Sequence, residues 1–235
     1  MSQDQLAREF LDVVAQLERV IGRLGARDPQ GLGDAVRQVG DSHALVRQYR
    51  SELLVFATLR NAIAHHRYQS GRPIATPLPE TVARAKAILA QFERPAVAFD
   101  FGHTPVMFDE GEDLHPALKM MAEKRLSQAP VTSGGIYRCM LTTNAVARWV
   151  AANIDAEGNV VMPEVRVSDV LEHLEDHEVA KFVPRATTAS DAIDYLTSKK
   201  PPIALLITQD GNRTQSILRI LVAADVPALL KALGS

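Results

Sequence analysis

Ala204-Leu-Leu-Ile-Thr208, Asp210-Gly-Asn212, Ser216-Ile-Leu-Arg-Ile-Leu221 and Ala223-Ala-Asp-Val-Pro-Ala-Leu-Leu-Lys-Ala-Leu233 decide the fold. The first run is apolar and too short for a typical helix, so it reads as a buried strand. Asp210-Gly211-Asn212 supplies residues that reach positive φ readily and marks a turn. Ser216–Leu221 reads as a returning strand and Ala223–Leu233 as a helix. Upstream, Val179–Val183 predicts a strand and 190–197 a helix. The unit is therefore strand, helix, strand, turn, strand, helix. The same order is written about 80 residues earlier, in Ala96–Phe101, Asp113–Arg125, Ala129–Thr132, a turn at Ser133-Gly134-Gly135, Tyr137–Thr142 and Asn144–Ala152. Two copies of one small α/β unit bury a shared sheet face that neither covers alone.

Ahead of the repeat the pattern is helical. Leu6, Phe10, Val13, Val14, Leu17, Val20, Ile21 and Leu24 follow the three-and-four spacing of one helix face. Residues 25–40, rich in glycine and aspartate, read as a poorly defined connection. A second long helix is expected from about Asp41, as N-cap, to about His66. Its seam of Val46, Tyr49, Leu53, Phe56, Arg60 and Ile63 has one charged member. Three prolines and a glycine in 71–79 break the pattern, and a shorter helix follows from about Glu80 to Phe92. The expected domains are 1–94 and 95–235, the latter dividing into about 95–155 and 156–235.

With 46% hydrophobic and 23% charged residues, the 235-residue chain has the composition of a globular protein. The net charge of −2 excludes a uniformly basic nucleic-acid glue. That total joins unlike parts: residues 1–94 carry 13 Lys and Arg, 12 of them Arg, against 10 acids, and the rest 13 against 18. Cys139 is the only cysteine, so no intrachain disulfide forms. Met1-Ser-Gln-Asp-Gln lacks the basic and apolar regions of a signal peptide, and no apolar run approaches ~20 residues. A cytoplasmic protein with no membrane partner is expected.

The stretches Glu123-Lys-Arg-Leu-Ser-Gln-Ala-Pro-Val131, Tyr137-Arg-Cys-Met-Leu-Thr142, Ala204–Thr208 and Ile217-Leu-Arg-Ile-Leu-Val-Ala-Ala-Asp225 resemble a tandem pair of cystathionine-β-synthase-type (CBS) domains. The resemblance implies adenine nucleotides as regulatory ligands, bound in clefts between the halves. The family's ribose-phosphate motif is glycine, two apolar residues, Ser or Thr, two variable residues and Asp. Each copy here holds half. The first has Thr142, with Ala145 in the aspartate position; the second has Asp225, with Val222 in the hydroxyl position. Cys139 and Arg219 replace the glycine. A carboxylate accepts from ribose hydroxyls, and a hydroxyl at a helix start suits a phosphate. The second copy is the stronger candidate, with Asp225 for the ribose and Arg219 or Arg185 for a phosphate. Asp225 equally fits a plain helix cap.

Leu59-Arg60-Asn61-Ala-Ile-Ala-His65-His66-Arg67 resembles the Arg-polar-x-x-x-His signature of HEPN domains, helical hairpins that include metal-independent endoribonucleases. The resemblance implies a homodimer whose two motifs form one site. Asn61 and His65, four apart, share a helix face, so the amide can orient the imidazole. Arg60 suits a scissile phosphate and His65 a proton transfer at neutral pH. The alternative role for His65, His66 and Arg67 is to complement the negative end of the helix dipole. His173 and His177 lack a third ligand, and no metal is expected.

Together these expectations describe an α+β chain, an N-terminal helical hairpin domain followed by two CBS units. The expected protein is a ligand-responsive regulator, dimeric, whose CBS pair binds an adenine nucleotide and whose helical module acts on RNA. The alternative is a non-catalytic dimerisation and protein-interaction module with a degenerate CBS pair.

Overall fold

The computed structural model describes residues 2–65, 74–160 and 164–233. These are α+β and fall into two compact units. One holds the residues up to Ala96 together with Thr188–Asp194 and the chain from Leu229; the other holds Val97–Thr187 and Tyr195–Ala228.

The first unit contains α1 (Gln3–Gly22), α2 (Leu32–Val39), α3 (Ala44–His65) and α4 (Pro79–Glu93). Ser2 caps α1 by accepting from the Gln5 amide at 3.2 Å. Leu6, Phe10, Val13, Val14, Leu17 and Ile21 are buried, as their spacing predicts. Phe10 meets Phe56 of α3 edge to face at 5.9 Å. The stretch expected to be a loose connection instead contains α2. Leu32, Ala35, Val36 and Val39 form a buried i, i+3, i+4, i+7 stripe, and that burial overrides the weak helix propensity of the surrounding glycines. Gly31, at φ +99°, provides the turn into it.

The start of α3 also departs from expectation. Asp41 does not cap it; its carboxylate pairs with Arg50 at 2.7 Å. The helix begins at Ala44, whose amide donates to Asp194 Oδ2 at 2.9 Å, while the Leu45 amide donates to Ser190 Oγ at 3.1 Å. Arg47 pairs with the same Asp194 carboxylate at 2.8 Å. About one turn further along α3, Gln48 and Tyr49 both donate to the Leu233 carbonyl. The caps therefore come from residues 150 and 145 positions away in sequence.

The second unit carries two three-stranded sheets of identical topology. In the first, β1 (Phe108–Asp109) leads through α5 (Leu114–Glu123) to a parallel β2 (Gln128–Ser133), which returns antiparallel as β3 (Ile136–Thr142) into α6 (Thr143–Asn153). A short α7 (Val167–Leu171) completes that core, packed with Trp149, Leu141, Val131 and Leu114. In the second, β4 (Ala180–Pro184) leads through α8 (Ala189–Leu196) to a parallel β5 (Ala204–Thr208), which pairs antiparallel with β6 (Arg219–Leu221) ahead of α9 (Val226–Ala232). All of β5 is buried, as its unbroken apolar run predicts. Gly134 and Gly135 are at φ +57° and +82°, the geometry of a two-residue hairpin turn. Met140 and Tyr137 of the first sheet pack with Ala204, Leu206 and Phe182 of the second, and Tyr137 stacks edge to face on Phe182 at 4.9 Å.

Ala96–Phe101 is not the first strand. Ala98–Asp100 is a 3-10 turn, and His103 bridges Ile220 at the edge of the second sheet. The backbone approaches so closely there that a Cβ on Gly102 would lie 2.7 Å from Arg219 Cβ. The apolar residues of that stretch bury Ala98 and lay Phe99 against the Arg185 and Arg219 side chains instead of building a ladder.

Candidate functional site

The second unit contains an open cleft of about 1220 Å³. Phe182, Ile203 and Val222 give it an apolar wall, Lys181, Lys199 and Lys200 give it cations, and Asp176 and His177 also line it. Its first-copy rim is Ser127 and Gln128, the latter donating to the Ile203 carbonyl. Lys181 Nζ stands 4.5 Å from the centre of the Tyr195 ring. Ala223 and Ala224 also line the cleft, at the start of a 3-10 turn, where amides have no intrahelical partner. An apolar wall beside clustered ammonium groups suits a flat, phosphorylated ligand. These lysines were missed in the sequence. Their signal is the pair Lys199-Lys200 ahead of Pro201-Pro202, which reads locally as a solvated turn.

Asp225 does not line that cleft. Its Oδ2 accepts from the Val222 amide at 2.8 Å, and its Oδ1 lies 2.9 Å from His103 Nε2. The cap role anticipated as its alternative is thus present. Arg185 and Arg219 are brought together by one ring, at 4.3 Å and 4.7 Å from the centre of Phe99. Neither lines the cleft, and Arg185 lines a smaller hollow with Asp100, Gln209 and Asp210.

Thr142 is elsewhere again. Its hydroxyl accepts from the Ala145 amide at 2.9 Å, capping α6, and donates to Glu178 Oε1 at 2.5 Å. Glu178 is 5% exposed. Its other oxygen accepts from the Glu175 amide at 2.9 Å and pairs with Arg148 of α6. Burial pushes the carboxyl upward, but the Thr142 and Glu175 hydrogen bonds and the Arg148 charge outweigh it and hold it below its ordinary value. Arg148 is itself fixed by the His173 carbonyl at 2.7 Å. Burial raises the half-buried Cys139 thiol, which argues against nucleophilic work.

In the helical unit the three residues of the second motif do converge. Arg60 Nη1 donates to Asn61 Oδ1 at 3.0 Å and lies 3.1 Å from His65 Nε2. With Arg60 as donor, the His65 proton is on Nδ1. Asn61 therefore reaches the imidazole through the guanidinium and not directly. Arg60 and Asn61 also border a hollow of about 270 Å³ with Arg37 and the glycines that start α2. His66 and Arg67 lie outside the described residues. Among the described residues no group of three His, Cys, Asp or Glu gathers as a metal site, and no helix is long and apolar enough to cross a membrane.

No family model matches the chain, and none of the curated proteins does. Among solved structures, a CBS domain-containing protein of unknown function from Kribbella flavida DSM 17836 is similar at 15% identity, over 58% of this chain and 99% of that one, with a TM-score of 0.44. CBSX2, in complex with AMP, is similar at 17% identity over 58% and 97%, with a TM-score of 0.41. The CBS domain pair of protein MJ0100, in complex with 5′-methylthioadenosine and S-adenosyl-L-methionine, matches at 12% identity over 58% and 97%, with a TM-score of 0.43.

Proposed function

We propose that the protein is a ligand-responsive regulator in which a tandem CBS pair binds an adenine nucleotide and controls the helical module. The observation that carries this reading is the cleft, where three lysines stand beside an apolar wall. Lys181, Lys199 and Lys200 take the phosphate, and Phe182, Ile203 and Val222 take the base; the choice of adenine follows the sequence resemblance. Asp225 acts from outside by holding the Val222 amide, and so fixes the turn that lines the cleft. Control of the helical module requires that the ligand favour one arrangement of the protein over another.

Thermal unfolding across AMP, ADP, ATP, adenosine and GMP tests the site. At a hundredfold excess over Kd, binding contributes about 2.7 kcal/mol, a Tm rise of roughly 5–10 °C for a chain of this size. The rise should shrink in Lys199→Ala/Lys200→Ala and in Asp225→Ala. A flat response across the panel would refute the proposal.

A second reading is favoured by the contact of Arg60, Asn61 and His65: the helical module, as a homodimer, cleaves RNA without metal. Arg60 releases His65 and holds the phosphate; His65 takes the 2′-hydroxyl proton as that oxygen bonds to phosphorus, the P–O5′ bond breaks to leave the cyclic phosphate, and the departing 5′-oxygen is protonated from solvent. RNA is incubated with wild-type and His65→Ala protein, with and without nucleotide. Loss of cleavage in the variant supports this reading. Equal cleavage, or none by either protein, leaves the non-catalytic interaction module as the role of these helices.

A further inference from the structure

The two copies treat the start of their last helix differently. In the second copy, the residues that follow β6 line an open cleft. In the first, the matching position is Thr142 at the start of α6, an eleven-residue helix, and a side chain already stands over it. That side chain is an anion, the Glu178 carboxylate.

We infer that Glu178 is an internal occupant of an oxyanion seat, and that it closes the first copy to phosphorylated ligands. The seat is made of the Thr142 hydroxyl, the Glu175 amide and the Arg148 guanidinium, three donors converging on two oxygens. Hydroxyl, backbone N–H, arginine and a helix N-terminus are the groups that hold a phosphoryl group in protein sites generally. A carboxylate has the same charge sign and the same acceptor atoms, and here it is covalently delivered. Glu178 is buried, and Arg148 cannot turn away without abandoning the His173 carbonyl as well. Glu175 adds a second carboxylate, 3.4 Å from Arg148 Nη1, which further disfavours a second anion. The chain therefore offers one nucleotide place, not two. That count rests on the cleft reading above; the seat itself does not.

The test is chemical rescue on the full chain. Thermal unfolding is followed in chloride and in inorganic phosphate at matched ionic strength and neutral pH. The proteins are wild type, Glu178→Ala and Glu178→Ala/Thr142→Val. In chloride the Glu178→Ala protein should lose several degrees of Tm. Phosphate should restore at least half of that loss, while shifting wild type and the double variant little. If the single variant folds only in phosphate, the inference is equally supported. An equal phosphate response in wild type and Glu178→Ala overturns it, as does no response in Glu178→Ala or failure to fold in either salt. Calorimetric titration of wild type with AMP gives the count: one site per chain supports closure and two overturn it. Absence of AMP binding defeats the cleft reading alone, and the phosphate arm still decides the seat.

Discussion

Thr142 and Asp225 divide between them one set of tasks. In a full capping box the first residue's side chain accepts from the third amide of the helix, and the third residue's side chain accepts from the first amide. Thr142 performs only the first half, for the Ala145 amide, and Asp225 only the second, for the Val222 amide. Each of the two residues thus helps to start the helix that follows it. Both residues were visible in the sequence. Their partners were not, because Glu178 and His103 are brought in by the fold and leave no periodic signal. Glu178 carries a pH dependence with a definite sign. Its folded value is depressed, so the stability it adds is present above the unfolded carboxylate value of about 4.3 and is lost as pH falls through the folded one. In Glu178→Gln we expect stability to drop by about 1–3 kcal/mol at neutral pH. The gap to wild type should close in acid, where Glu178 is protonated. Urea unfolding at a series of pH values reads this directly, and a gap that stays constant down to acid would be the contrary result. Glu52, held below its ordinary value chiefly by its hydrogen bond from Arg84, follows the same sign, but as an exposed pair it adds little.

Among the elements, α3 is the most dependent on distant chain. Asp194 satisfies the Ala44 amide and the Arg47 side chain together, at 23% side-chain exposure. Asp194→Ala should therefore cost about 1–2 kcal/mol, a cap loss plus a partly screened ion pair. The measurable outcome is a Tm lower by roughly 2–8 °C, with Asp41→Ala, at the expected cap, nearly silent. The helices with long apolar stripes, α1 and the body of α3, were legible because periodicity over many residues is hard to mimic by chance. The elements that were not legible are short. α2 is only eight residues and hidden among glycines. The strand expected at Ala96–Phe101 failed because a short, mostly apolar run of six residues also fits a turn pressed against a sheet edge. The true first strand, Phe108–Asp109, has only two residues, too few to carry any period.

Across the molecule, the repeat was the strongest guide. The two sheets, in orders β1-β2-β3 and β4-β5-β6, share the same parallel and antiparallel pairings, so the repeated order of elements is matched by a repeated topology. Charge follows the same division in sequence, with the arginine-rich residues 1–94 containing Arg60 and His65 and the acidic remainder containing the repeat. The functional asymmetry between the copies was less legible. Strands and turns are written in local residues, whereas an open cleft and a filled seat depend on which side chains the fold places opposite each other. Nothing in the residues around Lys199 and Glu178 distinguishes them from solvated charges. The remote caps of α3 carry one further consequence, for how such a protein can be recombined. Residues 1–94 cannot be traded between proteins as a self-sufficient cassette. The segment would arrive without Asp194, Ser190 and the Leu233 carbonyl, and any new host would have to supply equivalents. The helical unit and the tail of the repeat are bound to change hands together, as a single inherited piece.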